Sequence, residues 1–97
     1  MAIKVSNIAV KILKVDNEEN ELSYAVKADI TNSKDDEYSE EEVMVEIQGI
    51  DEDGFEIISV YLNGNVKFNT TKTLTDRLEY QDKDEFNQVV SWQYTGI

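Results

Sequence analysis

Leu22, Tyr24, Val26, Ala28 and Ile30 fall on alternate positions, with Ser23, Lys27, Asp29 and Thr31 among their polar neighbours. On a helix, which advances about 100° per residue, these five apolar side chains would scatter around both sides. On a strand they share one face, because successive side chains point to opposite sides of the sheet. The run therefore predicts a half-buried β-strand over about 21–31. Shorter runs of the same kind recur along the chain, separated by acidic turns.

Ile3 and Val5 share one parity, and Ile8, Val10 and Ile12 share the other. The change of face near Ser6-Asn7 predicts a β-bulge or a strand that crosses between sheets. Asp16 to Asn20 reads as a turn, and Asn32 to Glu42 as an eleven-residue polar loop rich in acids. Val43, Val45 and Ile47 alternate with Met44, Glu46 and Gln48 in a strand ending near Ile50. Asp51-Glu52-Asp53-Gly54 predicts a hairpin turn, since Asp and Gly accept positive φ.

Phe55 to Leu62 carries apolar residues on both parities: Phe55, Ile57 and Tyr61 against Ile58, Val60 and Leu62. Such a strand is either covered on both sides or meets a partner. Asn63-Gly64-Asn65 reads as a further tight turn. Val66–Phe68 and Thr71–Leu74 read as two short strands around a kink at Asn69. Asp76 to Glu85 reads as irregular, with one helical turn near Asp82–Glu85. The last strand carries Val90, Trp92 and Tyr94; Phe86, Trp92 and Tyr94 share one parity there and are expected in the core, with Trp92 as its central filler.

Some seven strands at 8–12-residue spacing, without a long helical period, predict an all-β fold. The expected architecture is an immunoglobulin-like antiparallel β-sandwich of about seven strands, with a small barrel as the alternative. At 97 residues the chain makes a single domain, 1–97, large enough for one modest core. The chain has no Pro, so acidic side chains and loops are left to protect the edge strands.

Composition removes most catalytic chemistries. Without His there is no common general base or neutral metal ligand, and without Cys no thiolate nucleophile or structural zinc site. No Lys sits in an apolar context that would make it a base for Ser or Thr, and no glycine-rich nucleotide loop is present. Paired carboxylates suit glycoside hydrolysis, but 21 acids in 97 residues produce close pairs by chance. The reading is not an enzyme, and no cofactor is expected. A net charge of −12, with eight Lys and the single Arg77, disfavours nucleic acid and anionic membrane alike. No apolar run approaches the roughly 18 residues that would span a bilayer, so no membrane insertion is expected. Met1-Ala2-Ile3-Lys4 leads straight into a strand, which reads as cytoplasmic, or as an envelope-associated domain whose leader has been removed.

Calcium is the one ligand the composition favours, since it takes hard oxygen ligands. Asp35-Asp36-Glu37 with Glu40-Glu41-Glu42, Asp51 with Asp53, and Asp82 with Asp84 and Glu85 are the acidic clusters. None matches the EF-hand loop: Gly54 comes two positions early, and Leu62 stands at the final-Glu position. Solvated turns explain them more simply, and 35–42 is the cluster best able to wrap an ion.

Val26-x-Ala28-x-Ile30-x-Asn32-Ser33, then Val43-x-Val45-x-Ile47, then Asp51-x-Asp53-Gly54 and the Thr-rich Thr70 to Thr75 resemble bacterial immunoglobulin-like modules of the FxLYD type. The resemblance covers residues 22–75 through generic strand and turn elements. Ala28 stands where those modules tend to have Gly, and Phe68-Asn69 where they usually have a Pro-Gly turn. The resemblance implies an accessory or interaction module, often attached to bacterial envelope proteins, and carries over no catalytic residue.

The functional expectation is a non-catalytic module that binds an unidentified protein partner through loop 33–42 or an edge strand. Homodimerisation through strand 55–62 is a further use of its second apolar face. The candidate partner-binding residues are Tyr38, alone in the acidic loop, with Tyr61 and Tyr80, because Tyr is favoured at interfaces. The alternatives are an acidic inhibitor or immunity-type protein that covers a basic site, steered by its charge, and a calcium-stabilised module.

Overall fold

Six strands in two antiparallel three-stranded sheets pack face to face around one apolar core in the computed structural model, which describes residues 3–33 and 40–94. The strands are β1 (Ile3–Asp16), β2 (Glu21–Asn32), β3 (Glu40–Ile50), β4 (Glu56–Lys67), β5 (Thr70–Asp82) and β6 (Ser91–Gln93), with a short helix α1 (Lys83–Gln88) before β6. The first sheet has the order β1-β2-β5 and the second β4-β3-β6. Hairpins join β1 to β2 and β3 to β4, while the chain changes sheet between β2 and β3, at the β4–β5 corner and through α1.

The alternation sets the core. On β2 the even positions from Leu22 to Asn32 are all buried, and on β3 Val43, Val45 and Ile47 are buried while Met44 stays outside. Tyr24, Ile30, Ile47 and Leu62 are the largest apolar side chains sealed from solvent. Each such aliphatic side chain contributes about 1.5–3 kcal/mol on leaving water. Trp92 is not the central filler. It is half-buried, with ring centroids 6.0 Å from Tyr24 and 6.2 Å from Phe86, and Tyr24 lies 4.8 Å from Phe86. Phe86 sits on α1 rather than on the last strand. The three rings therefore close one end of the core, where α1 meets the sheets.

The face change in β1 is a bulge. Its register against β2 shifts between Ser6 and Ala9, and Asn7 adopts a positive φ of 53°. Asn69 likewise takes φ 60° at the corner between β4 and β5, where its N–H donates to the Asn32 carbonyl at 2.5 Å. The Asn side chain tolerates this region without a glycine.

The strand count is six among the described residues, and the expected turn at Asn63-Gly64-Asn65 is absent. β4 runs straight through it, with Gly64 paired to Val43. The reason is packing: a Cβ on Gly64 would lie 2.8 Å from Leu74 Cδ2, so this glycine admits a neighbouring side chain rather than turning the backbone. The segments expected as two short strands are the end of β4 and the start of β5. The expected irregular stretch from Asp76 is strand as far as Asp82.

Gly49 plays a similar part beside the aromatic end, where an added Cβ would meet Val89 Cγ2 at 3.0 Å and the Trp92 ring at 3.2 Å. Gly49→Ala is expected to cost about 1 kcal/mol, the low end for overpacking, because side chains rather than backbone must give way. Urea denaturation with an unchanged slope is the check.

Candidate functional site

The outer face of the second sheet carries a connected set of polar side chains. Register places Glu46 opposite Tyr61, Gln48 opposite Ser59 and Met44 opposite Asn63, all on the side away from the core. Gln48 Nε2 donates to Glu46 Oε1 at 3.0 Å, and Ser59 Oγ lies 3.5 Å from the same oxygen. Ser59 Oγ also donates to Glu56 Oε1 in a short bond, so two carboxylates converge on one hydroxyl. The Tyr61 hydroxyl lies within electrostatic reach of the Glu46 carboxylate as well.

These donors fix the electrostatics. The Glu46 carboxyl is held below the usual carboxylate range, chiefly by the Gln48 amide and then by the Tyr61 hydroxyl. Tyr61 is pushed up, first because its proton is engaged by Glu46 and then by the charge of that carboxylate. Among the described residues no lysine or arginine is hydrogen-bonded to either Glu46 or Glu56. Glu46→Gln is expected to let the Tyr61 phenol titrate at lower pH than in the parent, readable from its ring resonances; an unmoved titration would break the proposed link.

Exposed apolar surface adjoins this cluster. Met44 is 66% exposed and Tyr61 48% exposed, with Met44 diagonal to Tyr61 across the β3–β4 pair. The second apolar parity of strand 55–62 thus faces outward rather than into a second core. Ile57 is the exception, half-buried against the core.

Tyr80 is 81% exposed on the other sheet, with φ 60° at a bulge where β5 slips against Leu22 and Tyr24. It borders a cleft of about 60 Å³, well short of the roughly 300 Å³ of a small-molecule pocket. The structure therefore does not bring Tyr61 and Tyr80 together. Tyr38 lies outside the described residues, as does most of loop 33–42.

The acidic turns are occupied by their own backbone. Asp51 Oδ1 accepts from the N–H groups of Asp53 and Phe55, each at 2.9 Å, and Asp82 Oδ1 caps α1 by accepting from Glu85 N at 3.0 Å. Asp84 accepts from Asn20 Nδ2 at 3.1 Å. No group of three metal-ligating side chains comes together among the described residues. An open depression of about 380 Å³ lies between the β3–β4 turn and the end of α1, lined by Asp51, Glu52, Asp53, Asn87, Gln88 and Val90. It offers carboxylates and amides without a nucleophile beside a base. Sequence reading singled out Tyr61 but not Glu46, Glu56, Gln48 and Ser59, since their convergence depends on the β3–β4 register. Compared with family models, with curated proteins and with solved structures, the chain shows no match.

Proposed function

We propose that this chain is a non-catalytic, immunoglobulin-like β-sandwich module that binds a cationic protein surface through the outer face of its second sheet. The sheet orders support the architecture: taken in chain order, β1-β2-β5 and β4-β3-β6 correspond to strands A-B-E and C′-C-F of that fold. One observation carries the function. Glu46 and Glu56 meet at the Ser59 hydroxyl beside exposed Tyr61 and Met44, with no lysine or arginine bonded to either carboxylate among the described residues. Like charges so placed repel, and a lysine or arginine from a partner relieves that repulsion. Tyr and Met supply the contact area that interface cores favour. The net charge of −12 speeds encounter with a basic surface, as expected also of an inhibitor covering a basic site.

A second reading rests on the edge of β3. Among the described residues, β6 pairs only with Gln48, Gly49 and Ile50, leaving the rest of that edge able to accept an extended segment.

Hexalysine titrated into ¹⁵N-labelled protein tests the main reading. The amides of Glu46, Gln48, Glu56, Ser59 and Tyr61 are expected to shift most. Shifts spread evenly over the acidic turns would contradict it, and shifts confined to Val43–Ile47 with new amide protection would favour the edge.

A further inference from the structure

The outer face of the first sheet has the opposite character. Register places Lys11, Ala25 and Arg77 in one row across β1, β2 and β5, and Ala9, Lys27 and Thr75 in the next. Directly opposed residues share a face, so the three cations surround a floor of two alanines. That floor is a shallow, mostly apolar depression of about 190 Å³. Lys11 and Arg77, two strands apart, are roughly 10 Å from each other at the backbone.

No acid lies in these two rows. Asp29, in the row beyond Lys27, accepts from Asn7 Nδ2 at 2.9 Å and Thr73 Oγ1 at 2.5 Å, which together with the charge of Lys27 hold its carboxyl below the usual range, and Glu79 lies two residues along β5 from Arg77. None of the three cationic side chains makes a hydrogen bond or ion pair among the described residues. A chain with 21 acids and nine cations thus gathers three of its cations on one face, without a direct ion pair among the described residues. Its other outer face holds two carboxylates to which no lysine or arginine is bonded among the described residues.

We propose that the outer face of the first sheet in one copy receives the outer face of the second sheet in another, so that copies stack head to tail. This rests on the second sheet being the docking face. Glu46 and Glu56 approach Lys11, Lys27 and Arg77, while Met44 and Tyr61 cover the alanine floor. The two surfaces differ, so the contact is heterologous and propagates instead of closing as a symmetric pair. Repulsion between copies of net charge −12 is confined to near neighbours at physiological salt, where the screening length is about 8 Å. Stacking is therefore strongest at intermediate ionic strength: low salt restores the overall repulsion, and high salt screens the facing charges.

Sedimentation velocity over a wide concentration range tests the proposal on four proteins whose folding is checked by thermal melting. The parent is expected to form dimers and higher species. Lys11→Glu with Lys27→Glu, and separately Glu46→Lys with Glu56→Lys, are each expected to weaken association at least tenfold. An equimolar mixture of those two variants offers the native pairing at one contact and the charge-exchanged pairing at the next, and it associates again with the two variants alternating. The variant with all four changes has the parent's net charge with the faces exchanged, and it associates again. A parent that stays monomeric throughout, or association that survives both charge reversals, overturns the stacking. If hexalysine still maps to Glu46 and Glu56 in that case, the docking face stands and only its partner was misassigned; if it does not, both fail.

Discussion

Replacing Tyr24 with Ala is expected to cost about 3–5 kcal/mol, the range for deleting a large buried ring. Tyr24 is sealed from solvent in the middle strand of the first sheet. Its ring also holds the aromatic end together, touching Phe86 on α1 and Trp92 on β6. The loss therefore falls on both sheets and on the helix that links them. For a domain of this size, each kcal/mol lowers the melting temperature by about 4–8 °C. Calorimetry of Tyr24→Ala is expected to show a single transition lowered by well over ten degrees, or no folded protein at 37 °C. Tyr24→Leu separates ring volume from the specific cluster: it is expected to recover part of the loss and leave the Trp92 fluorescence altered.

The second large effect appears at alkaline pH. Burial, with the Asp76 carboxylate adding to it, pushes the Tyr24 phenol up to about 12 from its ordinary value of 10.0. Between these values the unfolded chain has released this proton while the folded chain retains it. The unfolded state binds fewer protons, so stability falls as pH rises through that window. A two-unit difference corresponds to about 2–3 kcal/mol, present below pH 10 and lost by pH 12. Tyr24→Phe removes the group. It gives up only the long bond from the phenol to Gln81 Oε1 at 3.3 Å, and its loss of stability between these pH values is expected to be shallower than the parent's by that amount. Equal slopes in the two proteins would show that the phenol is not sealed.

Local alternation was enough to read β2 and β3 and their inner faces. The even positions of β2 and the odd positions of β3 lie in the core as their parity requires, and the bulge near Asn7 follows from the parity change in β1. Reading failed where a residue answers to a distant neighbour. Asn63-Gly64-Asn65 has the chemistry of a turn, but Gly64 makes room for Leu74, ten residues on and in the other sheet. Phe86 has the parity of the last strand, but Asp82 caps a helix that carries it to Tyr24. The candidate site behaves in the same way. Tyr61 is visible as an aromatic on the wrong parity for the core. Its partnership with Glu46, and the meeting of Glu46 with Glu56 at Ser59, follow only from pairing β3 with β4.

The charge pattern shows the same limit. A net charge of −12 suggests a uniformly acidic surface, yet Lys11, Lys27 and Arg77 come from three strands to make one basic face. Their separation in sequence conceals the patch. It becomes apparent only when the rows across β1, β2 and β5 are aligned.

The most direct measurement is the affinity of hexalysine for two variants that lose the same two charges in different places. Glu46→Gln with Glu56→Gln removes the carboxylates that meet at Ser59. Glu18→Gln with Glu19→Gln removes two from the exposed β1–β2 turn, where only their backbone N–H groups are engaged, by Asp16. At low ionic strength the first variant is expected to bind hexalysine roughly tenfold more weakly than the parent, and the second within about twofold. Equal losses in the two variants would mean that hexalysine responds to net charge alone, and that the outer face of the second sheet is not a docking surface.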